Sequence, residues 1–173
     1  MRANAFGWNP GKERSRAIAT KVAPTGPFLP VSRIRPATVD DAAQVARLSA
    51  QLGYPADVAT FTARLRAIAA RDTHAVLVRE ADDGRLLGFV GLEHRLGIES
   101  GELAEIVGLV VDADARRTGT GRALVAAAEA WARDRGLGVL YLRSNIVRTE
   151  AHDFYPALGF ERSKTQHAYR KRL

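Results

Sequence analysis

From residue 31 onward the chain alternates short apolar runs with longer stretches at helical spacing. Ser32–Pro36 (SRIRP) reads as a first strand. Thr38-Val39-Asp40-Asp41 is a capping-box-like start, a hydroxyl followed three residues later by an acid. The helix it opens places Val45, Leu48 and Leu52 on one face and ends at Gly53 and Pro55. Val58, Phe61, Leu65 and Ile68 stripe a second helix, with Arg64, Arg66 and Arg71 on its solvated side. His74–Arg79 and Leu86–Glu93 read as strands joined by a hairpin turn at Asp82-Asp83-Gly84. A polar loop, Gly97 to Glu102, leads into Ile106–Val111, an apolar, mostly β-branched run that predicts a strand buried on both faces. Leu124, Val125, Ala128, Trp131 and Ala132 then recur at helical spacing, and Gly136 supplies a C-terminal stop. Gly138–Arg143 reads as a short strand and Glu150–Leu158 as a last helix.

Between the central strand and the long helix lies Arg116-Arg117-Thr118-Gly119-Thr120-Gly121. Glycines without Cβ let the backbone approach a bound group and turn its N–H donors one way. A helix starting there adds free N–H groups and the positive end of its dipole. This is a cradle for an anion such as a diphosphate, although an ordinary strand-to-helix turn could have the same residues. A P-loop would need GxxxxGK[ST], which is absent. A Rossmann fingerprint would need a third glycine where Leu124 stands.

The arrangement that remains, strand then R-x-x-G-x-G then helix, resembles the coenzyme A pyrophosphate loop of GNAT-superfamily acyltransferases. Downstream, Ala151, Phe154, Tyr155 and Gly159-Phe160 match the A-x-x-F-Y-x-x-x-G-F pattern that closes those domains. The resemblance covers about Ile34 to Leu173, and the segment as a whole resembles sequences grouped with aminoglycoside 6′-N-acetyltransferases. It implies an α/β (α+β) GNAT fold, a mixed, mostly antiparallel central sheet flanked by helices, in the order β-α-α-β-β-β-α-β-α-β. It also implies acetyl-coenzyme A as co-substrate. The coenzyme contacts it implies are Leu109, Val110 and Val111 in the strand, Arg116, Arg117, Thr118, Gly119, Thr120, Gly121 and Arg122 in the loop, and Asn145. Three positions depart from the family pattern. Arg148 stands where an Asn is usual, Thr118 where Gln, Lys or Arg is common, and Thr120 where an aliphatic residue is common.

Composition narrows the partners. The 173 residues are 46% apolar and 26% charged, as in a soluble globular domain, with no apolar run long enough to span a membrane. The chain has no cysteine, which excludes disulfides, thiolate metal sites and a covalent acyl-cysteine step. No pair of histidines has metal-ligand spacing, so no metal is expected. The net charge of +7 sits at the ends: +4 in residues 1–32 and +3 in Arg170-Lys171-Arg172, leaving the body neutral. Nucleic-acid binding needs a basic stripe across a folded face, so it is not expected. Residues 1–30, rich in Gly and Pro, read as a flexible basic extension without a signal-peptide core, ahead of one domain at 31–173. The expected setting is cytoplasmic, with a small-molecule amine as partner and a homodimer as the assembly the reading admits.

For acetyl transfer to an amine, a base must take the amine proton and an acid must protonate the leaving thiolate. Among Glu93, Glu99, Glu102 and Glu105, Glu105 is the candidate base because it lies in the central strand. It could equally serve to attract a cationic acceptor. A backbone N–H near Leu109 or Val110 could stabilise the charge that develops on the thioester oxygen. Tyr155, the family's tyrosine near the coenzyme sulfur, is the candidate acid; its alternative is an aromatic core residue. The acceptor class is an aminoglycoside- or polyamine-like amine. Protein N-terminal or lysine acetylation, and a non-catalytic acyl-coenzyme A-binding module, are the alternatives.

Overall fold

A computed structural model describes residues 32–173; the basic extension expected at 1–30 lies outside them. The elements run β1 (Ser32–Pro36), α1 (Ala42–Gln51), α2 (Val58–Ala69), β2 (His74–Ala81), β3 (Leu86–Gly97), β4 (Gly101–Val111), α3 (Thr120–Arg133), β5 (Leu140–Leu142) and α4 (Thr149–Phe154). The five strands lie in sequence order; β1 to β4 pair antiparallel and β5 pairs parallel to β4.

The alternation of side chains divides the core between the two faces of this sheet. On one face Val90, Leu92, Ala104 and Ile106 pack against Leu124, Val125, Ala128, Trp131 and Ala132 of α3. On the other, Val78, Leu86 and Val110 pack against Val45 and Leu48 of α1 and Phe61 and Leu65 of α2. The helix ends follow their chemistry. The Thr38 N–H donates to the Asp41 carboxylate at 2.8 Å, and the Asp57 carboxylate accepts from the Thr60 N–H at 2.6 Å. After α3, Gly136 sits at φ 70°. Its N–H reaches the Arg133 carbonyl at 2.9 Å and the Leu137 N–H reaches that of Ala132 at 3.0 Å, a Schellman closure.

Several expectations are corrected. The polar loop of Gly97 to Glu102 is a tight hairpin, with Gly97 paired to Gly101, so β3 and β4 extend further than their apolar runs. Ladder hydrogen bonds carry those strands through polar residues that periodicity alone leaves out. Strand β5 is cut to Leu140–Leu142, and Pro156, which cannot donate to an α-helical ladder, divides the last helix into α4 and a 3₁₀ turn at Pro156–Leu158. Val58 is exposed rather than buried. No strand forms among residues 160–173, where the family order implies one.

Strand β4 is also not buried on both faces throughout. Gly91 faces Gly108 while its neighbour Leu92 faces Ile106, so Val107 is an extra residue, a β-bulge that leaves its side chain exposed.

Candidate active site

The bulge changes which way the backbone donors of β4 point. The Ala104 N–H goes to the Val139 carbonyl beside β5, whereas the Asp112 N–H goes to the Leu87 carbonyl in β3. Eight residues apart, the two would point the same way in a regular strand. The extra residue reverses the alternation, so beyond Val107 the N–H groups of Leu109 and Val111 face the β5 side. There β5 has already left the ladder, which pairs only Ala104–Ile106 with Leu140–Leu142. A gap therefore opens along β4, with two donors on its wall that have no partner among the described residues. Of the two neighbours considered for the thioester oxygen, the Leu109 N–H points into the gap and the Val110 N–H points into the ladder with β3.

The gap leads to the loop ahead of α3. Asp112, 2% exposed, closes the end of β4. Burial by itself raises its carboxyl, but hydrogen bonds from Arg47 and from the Asp114 N–H outweigh that and hold it below the usual range. The Arg47 contact, at 2.6 Å, ties the start of the loop to α1. Arg117 at φ 60° and Gly119 at φ 82° are both left-handed, which turns successive N–H groups into a concave nest at the start of α3. Arg116, Arg117 and Arg122 are exposed, and none has a carboxylate partner among the described residues.

The two loop glycines are present for different reasons. A Cβ on Gly119 would meet nothing within 4 Å; its requirement is the positive φ. A Cβ on Gly121 would lie 3.0 Å from Phe154 Cζ and 3.3 Å from Cε2, so this glycine lets α3 pack against α4. The Thr118 and Thr120 hydroxyls are turned inward. They lie 2.9 Å apart, Thr118 donates to the Ala115 carbonyl at 2.7 Å, and Thr120 is 1% exposed. What these two residues can offer an anion is backbone N–H.

Tyr155 caps α4, with its ring edge-on to Phe154 and Phe160 at centroid distances of 5.1 and 5.6 Å. Burial lifts its phenol above the ordinary value, and the Arg148 charge works against that lift. Its hydroxyl has no hydrogen-bond partner among the described residues and is free to donate. Asn145 is exposed and folds into a local turn, accepting from the Val147 N–H at 3.2 Å. Arg148, in the family's Asn position, donates to the Leu52 carbonyl at the end of α1.

Glu105 is 1% exposed and clamped by two arginines. Its Oε1 accepts from Arg143 Nε at 2.9 Å and its Oε2 from Arg95 Nη1. Glu93 pairs with Glu105 across β3 and β4, so both carboxylates rise from the same face of the sheet. Glu93 is half-buried and has no ion-pair or hydrogen-bond partner for its carboxylate among the described residues. Glu99 and Glu102 are exposed at the hairpin that ends the same two strands. Arg95 and Arg143 escaped the sequence reading. Arg95 lies in β3 and Arg143 just after β5, far from each other in the chain, and only the β3–β4–β5 register brings them to Glu105.

Among the described residues no cluster of three or more His, Asp or Glu could hold a metal, and no helix is long and apolar enough to cross a membrane. The profile described as Acetyltransferase (GNAT) family matches residues 43–160. Aminoglycoside N(6')-acetyltransferase type 1 of Stenotrophomonas maltophilia is 36% identical over 135 residues, covering 76% of this chain and 87% of that relative. The protein of the same name from Klebsiella aerogenes is 38% identical over 102 residues, covering 57% and 67%. A solved structure of aminoglycoside N-acetyltransferase AAC(6')-Iy in complex with CoA superposes with a TM-score of 0.76 at 24% identity, covering 88% of this chain and 100% of that one.

Proposed function

The chain belongs to the GNAT family of acetyltransferases, and from that premise we propose that it transfers an acetyl group from acetyl-coenzyme A to a primary amine of a small molecule within one ternary complex. The observation that carries this reading is the gap between β4 and β5. It runs from the nest at the start of α3 past two open backbone donors, and it meets the sheet face that bears the carboxylates. The diphosphate fits the nest, with Arg116, Arg117 and Arg122 beside it to balance its charge. When bound, the coenzyme supplies the acyl thioester.

Each step then falls to a named group. A neutral amine attacks the thioester carbon, and the Leu109 N–H holds the oxygen as charge builds on it. The carbon–nitrogen bond forms as the carbon–sulfur bond breaks. Tyr155 protonates the departing thiolate, whose thiol has a pKa of roughly 8.5; burial holds the phenol's proton beyond its ordinary value, so the donor is in its protonated form at neutral pH. With both oxygens of Glu105 held by guanidiniums, we assign it to anchoring Arg95 and Arg143 at the acceptor side, and we assign the amine proton to Glu93. The relatives' names point to an aminoglycoside-like or polyamine acceptor, and Glu93, Glu99 and Glu102 offer such a cation carboxylates at one end of the sheet.

The test is thiol release from acetyl-coenzyme A across a panel of amino sugars, polyamines and peptide amines. Turnover with an amino sugar or polyamine supports the reading, and turnover with peptide amines alone would replace its acceptor. Absence of release with every amine would overturn it. Glu93→Gln should lose most activity at low pH, where more of the amine is protonated. Glu105→Gln should raise the acceptor KM and leave the shape of the profile unchanged.

A further inference from the structure

Arg79 in β2 is a part-buried cation set beneath the start of α3. Its guanidinium donates from Nε to Ser32 Oγ at 2.8 Å and from Nη1 to Thr120 Oγ1 at 3.2 Å, 41 residues away at the first turn of α3. It forms no ion pair with any carboxylate among the described residues. Gly88 is registered opposite it in β3 and has no side chain. A Cβ there would stand 2.5 Å from the Val110 carbonyl oxygen and 3.1 Å from Leu124 Cδ1.

The hydrogen bonds beyond Arg79 have only one consistent direction. A guanidinium has no acceptor, so Thr120 Oγ1 must accept from it. At the other end the Ala115 carbonyl has no proton, so the Thr118 hydroxyl must donate to it. The 2.9 Å contact between the threonines is then Thr120 donating to Thr118. The chain runs Arg79 N–H to Thr120 O–H to Thr118 O–H to the Ala115 carbonyl, and it spans both ends of the Arg116–Gly119 nest. Both threonine hydroxyl protons are spent inward. While the Arg116 N–H bonds the Ala113 carbonyl at 3.4 Å, those of Arg117 to Gly119 have no backbone partner among the described residues and are left to the ligand. The two threonines that depart from the family's loop pattern are the links of this relay.

We propose that Arg79 is a positioning residue for the coenzyme's diphosphate. It does not touch the ligand. Through Thr120 and Thr118 it fixes the nest, and it leaves behind the nest an unbalanced positive charge that the diphosphate neutralises. The inference rests on the acetyl-coenzyme A reading, and its test measures binding, so it needs no acceptor.

The experiment is calorimetric titration of the full chain with coenzyme A at low and high salt, and with pantetheine, which lacks the diphosphate. Arg79→Met should weaken coenzyme A about tenfold at low salt, the size of a unit charge acting over several ångströms at the protein surface. The loss should shrink at high salt and be absent for pantetheine. Arg79→Lys, which keeps the charge, should recover most of the affinity. Thr120→Val keeps both charge and shape but cuts the relay, so it should weaken coenzyme A severalfold. Equal losses for coenzyme A and pantetheine, or no recovery with lysine, would make Arg79 a purely structural residue. If Arg79→Met does not fold, the Thr120→Val variant decides: unchanged coenzyme affinity there overturns the relay. A wild-type chain that does not bind coenzyme A would instead overturn the underlying reading.

Discussion

Valine placed at each loop glycine should fail in two distinguishable ways. At Gly121 the first added carbon already lies 3.0 Å from Phe154 Cζ, against ordinary carbon contacts of roughly 3.5–4.0 Å. Valine adds two further methyls in the same space. Overpacking of this kind costs about 1–3 kcal/mol. The offset from removing a helical glycine is under ~1 kcal/mol, and smaller still for a β-branched replacement. For a domain of this size a loss of 1–3 kcal/mol lowers Tm by roughly 3–10 °C. At Gly119 there is no steric obstacle, only a φ of 82° that an L side chain resists by about 1–2 kcal/mol. The loop can relieve that strain by leaving the nest conformation. Gly119→Val should therefore melt close to wild type but bind coenzyme A roughly 5- to 30-fold more weakly. Thermal melts without ligand and calorimetric titration with coenzyme A read the two effects separately. Phe154→Leu in the Gly121→Val background should restore part of the lost Tm by freeing the ring's volume. A Gly121→Val protein with unchanged Tm, or one that Phe154→Leu does not rescue, would refute the packing role and return this glycine to the ligand.

Tyr155→Phe should bind coenzyme A normally and lose kcat by up to about 10²-fold; because burial raises the phenol's pKa, the loss should be flat from pH 6 to 9, and a pH-dependent loss would point to another acid. Acid unfolding should trace the cluster at the β1–α1 corner. Hydrogen bonds from Arg35 hold Asp41 below its usual range and, together with Arg33, hold Glu80 down at about 2. A carboxyl depressed on folding stabilises fully above its unfolded pKa near ~4 and loses that contribution as pH falls through the folded value. Chemical denaturation midpoints should therefore fall below pH 4 and keep falling toward pH 2, and Arg35→Met should flatten that slope. Gly136→Ala, which forces an L residue to a φ of 70°, should lower stability by about 1 kcal/mol in denaturant titration and leave coenzyme affinity unchanged.

The elements with a strong local period were legible in the sequence. Val45 and Leu48 on α1, Leu124 to Ala132 on α3 and the Asp82–Gly84 hairpin stand where spacing and turn chemistry put them. The loop and the Gly136 stop were legible for the same reason, since each depends on neighbours in the chain. What escaped depends on register. Nothing near Glu105 announces that Arg95 and Arg143 will close on it, and nothing near Thr120 announces Arg79. The packing constraint on Gly121 is hidden for a related cause: it is set by the Phe154 ring, 33 residues downstream. The run Ile106–Val111 hides its bulge because the β-branched residues around Val107 look alike whether paired or not.

That bulge makes the arithmetic of β4 more important than its composition. Replacing Val107, whose side chain is exposed, leaves the residue count intact, and the strand should accept many side chains there. Deleting one residue between Ile106 and Leu109 would preserve nearly all of the apolar character. It would also restore an unbroken two-residue rhythm in which both flanks keep their partners in β3, and so remove the local bend and extra twist that the bulge gives β4 where β5 leaves it. Length at this point is thus a functional property in its own right. Among chains of this architecture, a single-residue gap in β4 should mark loss of transfer more reliably than any one substitution in the strand.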